Sequence, residues 1–435
     1  MKKILVLMAW VTIRLSASAE IVSGEYIVKM KRRAEVSIAS ADRAKKLGIS
    51  RLLSRRGEIY LIKNNKRTLK DLEKDPEVER VEPNYILKAF FGSRKKKPAP
   101  SPYPPFVPVP NRPGTPVEPA KDPLPNPEPD SEVLLPNDPL FNKQWGFRNT
   151  QGFDSKIAKA WKSGVTGSDS VVVAVVDSGV DYNHSDLAGN MWSANINGST
   201  VHGYNAINDT NNPMDENNHG THVAGVIGAV SNNGVGIAGM NWKVQVMAAK
   251  FLDSQGSGTT ADAIKAIDWA REHGAQIMNM SWGGGGFSQI LLEALGRAEA
   301  AGVLLVAAAG NESSNNDTNP IYPANYAIPS MIRVAASDAG DHIAWFSNYG
   351  ANSVDLMAPG VSIFSTIRND AYVSMNGTSM AAPFVAGAAA LILSKFPNLS
   401  PLELRQKILN AVDVTPLAAG KVSTSGRLNV FKALQ

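Results

Sequence analysis

SVVVAVVD, residues Ser170–Asp177, decides the fold. Six apolar residues follow one another without a polar partner on either parity, and five of them are valine. A one-sided strand would alternate and a surface helix would carry a polar face, so this run predicts a strand buried on both faces. VQVMAAKFLD (Val244–Asp253), AQIMNMSWGG (Ala275–Gly284), GVLLVAAAGN (Gly302–Asn311) and MIRVAAS (Met331–Ser337) repeat the pattern. Helical stretches lie between them, among them TADAIKAIDWAREHG (Thr260–Gly274) and SQILLEALGRAEAAG (Ser288–Gly302). That rhythm predicts an α/β fold with a doubly wound, mainly parallel sheet. Ligands bind such sheets at the carboxyl ends of the strands, where Asp177, Ser281 and Asn311 stand.

Everything before Ser131 differs in composition. The chain has 435 residues, with 44 Lys+Arg against 39 Asp+Glu, a formal +5. Residues 131–435 hold 18 Lys+Arg and 24 Asp+Glu, a balance of −6, which leaves +11 for residues 1–130. The basic character therefore belongs to the front of the chain, and the overall charge does not argue for nucleic acid. Lys2 and Lys3, the apolar run Ile4–Ile13 and the small residues Ala17-Ser18-Ala19 predict a signal peptide over 1–19 and an exported protein. No later run predicts stable membrane insertion. Cysteine is absent, which excludes disulfides, thiolate metal sites and a cysteine nucleophile.

Residues 23–90 read as a small α+β unit. GEYIVKM (Gly24–Met30) and GEIYLIKN (Gly57–Asn64) predict strands, RTLKDLEKD (Arg67–Asp75) a helix, and VERVEPNYILKAF (Val78–Phe90) an extended segment. Residues 91–130 form a basic and proline-rich linker that opens with RKKK at Arg94–Lys97 and cannot pack a core. Residues 131–435 make the α/β domain.

Three stretches carry candidate chemistry. Asp177 at a strand mouth is costly unless paired, and it reads either as a cap or as an orienting acid. NHGTHVAGVIGA (Asn218–Ala229) offers His219 and His222, one as a base and the other as a packed, hydrogen-bonded residue. Their spacing of three, without the expected glutamate, argues against a zinc pair. NGTSMAAPFVAG (Asn376–Gly387) places Ser379 at a helix start, as an N-cap or as a nucleophile facing the helix dipole. Pro383 is expected to fall in the first helical turn, where it is tolerated.

Taken together, VVDSGVDYNHSDLAG (Val175–Gly189), NHGTHVAG and NGTSMAAP resemble the three active-site blocks of the subtilisin-like serine proteases, in that family's order. The similarity runs from about Asn137 to Leu434. It implies a secreted serine endopeptidase of subtilisin-like fold, with Asp177, His219 and Ser379 as the triad. His219 is thereby preferred over His222. Asn311, in AAAGNES, matches the family's oxyanion-binding side chain.

The resemblance extends to substrate handling. SWGGGG (Ser281–Gly286) resembles the strand that pairs with an extended peptide, with Ser281, Trp282, Gly283 and Gly284 as contacts. DSQGSG resembles the opposite strand, through Ser257 and Gly258. Ile321 falls at the floor of the primary pocket, and its bulk leads to an expected preference for medium apolar side chains over large aromatic or basic ones.

NDPLFNKQWG (Asn137–Gly146) resembles the calcium-binding N-terminal segment of thermitase-like members. A structural Ca²⁺ is implied, held by Asp138, Asp186, Asn233 (or its neighbour Asn232) and the carbonyls of Val230, Val235 and Ile237. The 23–90 unit resembles the family's inhibitor-type propeptide, so the implied partners are protein or peptide substrates and the chain's own propeptide. Its removal is expected somewhere between Phe91 and Leu135, giving a monomeric mature enzyme. The competing readings are a non-catalytic peptide-binding relative and a zinc hydrolase built on His219 and His222.

Overall fold

The computed structural model describes residues 19–31, 47–54, 58–63, 67–90 and 132–435. The signal-peptide and linker assignments lie outside the described residues.

The N-terminal unit contains β1 (Ile21–Met30), β2 (Ile49–Ser54), β3 (Ile59–Lys63), α1 (Leu69–Glu73) and β4 (Val78–Ala89). Its strands pair antiparallel in the order β2-β3-β1-β4. Thr68 and Asp71 form a capping box that starts α1. Alternation along β1 sends Val28 and Met30 to a small core with Leu72, while Ile27 faces the main domain with Leu61 and Leu87. The sequence reading starts this unit at Ser23 and omits β2; the first strand begins at Ile21. In ISRLLS, two register shifts against β3 erase the alternation that would betray a strand.

The main domain opens with α2 (Ile157–Lys162) and β5 (Gly167–Asp177), then a short hairpin β6 (Ala194–Ile196)/β7 (Ser199–Val201) and β8 (Gly203–Asn205). Next come α3 (His219–Gly228), β9 (Lys243–Lys250), β10 (Ser257–Thr259), α4 (Thr260–Glu272), β11 (Ile277–Met280) and β12 (Trp282–Gly283). They are followed by α5 (Gln289–Ala300), β13 (Leu304–Ala308), β14 (Ile332–Ser337), β15 (Leu356–Pro359) and the hairpin β16 (Ile363–Ile367)/β17 (Ala371–Met375). The chain closes with α6 (Thr378–Lys395), α7 (Pro401–Leu409), β18 (Asp413–Val414), β19 (Gly426–Arg427) and α8 (Val430–Ala433).

Nine strands form the main sheet in the order β8-β9-β5-β11-β13-β14-β15-β19-β18. Only the β18–β19 pair is antiparallel. From β5 the chain builds outward to β9 on one side and later to β11 on the other. The crevice at the carboxyl ends of β5 and β11 is therefore the topological switch point.

Both faces of β5 are covered, as its composition requires. Val173 and Val175 pack with α3 and α6, whereas Ala174 and Val176 pack with α4 and α5. The helix α6 is long and apolar enough to cross a membrane, a property the sequence reading overlooks. Its residues from Thr378 to Leu393 are all buried in the domain, so it is the central core helix.

Pro383 is the sixth residue of α6, beyond the first turn predicted for it. Proline there removes the N–H that the carbonyl of Ser379 would accept. The Ser281 hydroxyl replaces it, donating to that carbonyl at 2.9 Å. The helix thus keeps its path, and the break becomes a bond between two segments of the crevice.

Candidate active site

β5 delivers Asp177 to the crevice and α3 delivers His219, with both side chains fully buried. His219 Nδ1 lies 2.8 Å from Asp177 Oδ1, and the same oxygen accepts the Ser178 N–H at 2.7 Å. This contact sets the ring's orientation and leaves Nε2 as the nitrogen able to exchange a proton.

The start of α3 is itself braced by Asp215, which sequence reasoning missed. Its buried carboxylate accepts from Ser178 Oγ (2.9 Å), Asn217 N (2.8 Å), Asn218 N (3.1 Å), Thr221 N (3.1 Å) and Thr221 Oγ1 (2.6 Å). Those bonds hold Asn218 at φ +96°, a left-handed conformation, immediately before His219. The available signal was an aspartate four residues before the histidine.

His222 is separated from this chemistry. Its Nε2 donates to the carbonyls of Ile363 (2.9 Å) and Val373 (3.1 Å), tying α3 to the β16/β17 hairpin. Burial, reinforced by the neighbouring His219, pushes its pKa down to about 3, so the ring is neutral. Its hydrogen bonds are those of a structural residue, which removes the second ligand that the zinc reading needs.

Ser379 is the second residue of α6 and is buried. Its hydroxyl donates to the carbonyl of Ser281 at 2.8 Å. Asn311 follows β13, and its Oδ1 accepts from Thr378 N (2.9 Å) and Thr378 Oγ1 (3.0 Å). That fixes the amide with Nδ2 outward. Among the described residues, Asn311 Nδ2 is buried and has no hydrogen-bond partner. A buried donor left unpaired costs free energy, and it marks a place where an acceptor arrives. Thr378 was missed by the sequence reading, although it adjoins Ser379 in the same motif.

The N-terminal unit fills the cleft. Ile86, Leu87 and Lys88 of β4 pair with Thr259, Gly258 and Ser257 on one side. Lys88 and Ala89 pair with Gly283 and Trp282 on the other. Ala89 N–H donates to Gly256 O (2.8 Å) and Phe90 N–H to Ser281 O (3.3 Å). Gly256 is thus a further contact, one residue outside those expected in DSQGSG. The Phe90 ring lies over Gly283, where any Cβ would come within 2.3 Å of its Cζ. Ile321 packs against the same cluster. The Phe90 ring thus lies against the strand expected to wall the primary pocket.

The residues expected to hold calcium also converge. Asn232 N–H and Asn233 N–H donate to Asp138 (2.8 and 3.2 Å). Asn233 Nδ2 and Ile237 N–H donate to Asp186 (3.1 and 2.9 Å). Asn232 instead turns its side-chain oxygen to Asn137 N–H, which separates the two asparagines. Among the described residues no backbone N–H donates to the carbonyls of Val230, Val235 or Ile237. Burial raises the pKa of both carboxyls, and the charge of Asp138 raises that of Asp186 further.

Comparison with known proteins gives this geometry its class. Residues 168–429 match the family model of the subtilase peptidases. A thermophilic serine proteinase of Bacillus sp. (strain AK1) is 40% identical over 302 residues, covering 68% of this chain and 71% of that one. Thermitase of Thermoactinomyces vulgaris is 38% identical over 301 residues, covering 69% of this chain and 99% of that one. Subtilisin DY of Bacillus licheniformis is 40% identical over 281 residues, covering 64% and 96%. Among solved structures, a protease from Pseudoalteromonas arctica superposes with a TM-score of 0.61 at 30% identity, covering 69% of this chain and 98% of that one. The fold is thus the subtilisin-like α/β fold. The chain belongs to the subtilase family and is a serine endopeptidase acting on protein substrates.

Proposed function

We propose that the chain is an exported, self-processing zymogen whose endopeptidase chemistry runs through Asp177, His219 and Ser379. The observation that carries this reading is the fully buried Asp177–His219 pair, together with an Asn311 Nδ2 that is buried and unpaired among the described residues. Ser379 Oγ attacks the carbonyl carbon of the residue occupying the Phe90 position, and His219 Nε2 takes its proton. Asp177 holds the ring in the required tautomer and stabilises the imidazolium. The new C–O⁻ is received by Asn311 Nδ2 and the Ser379 N–H, one of the first-turn donors that a helix cannot satisfy internally. The imidazolium then protonates the departing amine, leaving an acyl-enzyme that water hydrolyses by the same steps.

The N-terminal unit serves as the intramolecular inhibitor and its own first substrate. The bonds from Phe90 and Ala89 to the cleft support a first cut immediately after Phe90, one residue ahead of the range expected from the sequence, and the signal-like leader supports export. Replacing Ser379→Ala tests the whole reading. The exported precursor then stays uncut, whereas the parent protein yields a new N-terminus at Phe91 by Edman sequencing. Self-maturation of the alanine variant would overturn the assignment.

A structural Ca²⁺ fits the loop at residues 230–237. Its carbonyls, Asn233 and the two buried carboxylates offer the hard oxygen set that the ion prefers. The carboxyls' raised pKa values carry a sign: without a cation, their contribution to stability is present in acid and is lost as pH rises through those values. Chelation at neutral pH is therefore expected to lower Tm by about 10 °C or more, with calcium restoring it. A Tm indifferent to chelator and calcium would exclude the site. The mature enzyme acts as a monomer.

A further inference from the structure

The ladder between the N-terminal unit and the cleft ends at Ile86, opposite Thr259. Contact does not end there. Tyr85, the next residue back, lies along Gly285 and Gly286. A Cβ built on Gly285 would stand 2.8 Å from Tyr85 Cβ. One built on Gly286 would stand 2.8 Å from Cζ, 2.9 Å from Cε1 and 2.9 Å from the hydroxyl oxygen. The side chain thus spans both glycines from stem to tip. Thr260 Oγ1 donates to the Tyr85 carbonyl at 3.4 Å, extending the backbone hold by one residue. Burial raises the phenol pKa, with the charge of Glu82 adding to it.

The two glycines differ in what they supply. Gly285 has φ +67°, so the turn itself requires it, whereas Gly286 lies outside the left-handed region. Nothing in the backbone at 286 demands glycine. What its missing side chain provides is room for the ring.

We propose that Gly285 and Gly286 form the floor of a sixth substrate subsite, which takes an aromatic side chain five residues before the residue at the cut. This rests on the reading that the Phe90 position precedes the scissile bond. Once the N-terminal unit leaves, a protein substrate entering as an extended strand places its own sixth residue where Tyr85 lies. A flat, side-chain-free floor gives an aromatic ring broad contact, while a small residue gains little there. Specificity then reaches past the strand-paired core, favouring unfolded or loop segments long enough to supply six residues.

The test uses enzyme matured from the full chain and peptides ending Leu-Lys-Ala-Phe before a chromogenic leaving group, preceded by Tyr-Ile, Phe-Ile or Ala-Ile. Alanine in sixth place is expected to lower kcat/KM about five- to tenfold relative to tyrosine, with phenylalanine close to tyrosine. In Gly286→Ala the tyrosine-to-alanine ratio, read within that enzyme, is expected to fall toward one. Equal rates for the three peptides in the parent enzyme would overturn the subsite and leave the protease reading intact. A ratio unchanged in Gly286→Ala would overturn the glycine floor. Failure to cut any of them, or a shorter peptide ending in the same four residues, would overturn the assigned cleft itself.

Discussion

Two surfaces of this molecule meet along β4, and they are built differently. The groups proposed to react stand on buried strand ends and helix starts, each held by backbone or by another buried side chain. Asp215 alone accepts five hydrogen bonds in order to fix the start of α3. The face that carries the N-terminal unit is held by long side chains instead. Arg51 reaches Asp209 and Asp262 at 2.7 Å each and also contacts the Ala206 carbonyl. Lys29 pairs with Glu293 at 3.0 Å. Glu82 accepts from Ser288 and Gln289 at the start of α5, and Asn84 accepts from Ala261 near the start of α4. On the proposed zymogen reading, a permanent site and a temporary clamp share one cleft but use different chemistry.

The permanent side gives the larger expected effect. Asn311→Ala leaves Thr378 without its acceptor and removes the proposed side-chain donor to the oxyanion. We expect kcat to fall about 100- to 1,000-fold with KM little changed, the size of loss that removing one such donor causes in a subtilisin. Steady-state kinetics on one peptide suffice. A KM increase at constant kcat would mean that Asn311 binds substrate and plays no part at the transition state.

The residues proposed as catalytic were legible as candidates because they sit in short, local motifs at the ends of continuous apolar runs. Asp177 closes six apolar residues, and Ser379 opens a small-residue helix. What stayed hidden was contact between distant segments. Nothing in NGTSMAAP indicates that the Ser281 hydroxyl would replace the N–H that Pro383 lacks. Nothing in ISRLLS indicates that Arg51 crosses to two aspartates more than 150 residues away. Ile321 could be read from the sequence, but the space above Gly283 depends on how β12 lies against β4.

A smaller effect is expected from the clamp. Arg51→Ala removes charge-assisted bonds that are partly exposed, so the N-terminal unit should dissociate about tenfold faster after self-cleavage. Activity would then appear sooner, and added salt would narrow the difference from the parent. An unchanged lag at low salt would show that backbone pairing through β4 does the holding and would blur the contrast between the two surfaces.

The last effect is on stability and not on rate, and it tests how fully the permanent side excludes charge. His222 is fully buried beside His219, and its pKa of about 3 lies below its ordinary 6.5. A depressed value means that the unfolded chain takes up a proton that the folded one refuses. The contribution to stability is complete above pH 6.5 and is lost as pH falls from there toward 3. The slope from this one group is at most about 1.4 kcal/mol per pH unit. Glutamine can still donate to the Ile363 and Val373 carbonyls but does not titrate. His222→Gln, placed in the Ser379→Ala background to prevent self-digestion, should therefore flatten the fall in unfolding free energy between pH 6.5 and about 4, measured by urea titration. If both proteins lose stability with the same slope, the acid sensitivity lies elsewhere, and His222 is held by packing and not by its neutral charge.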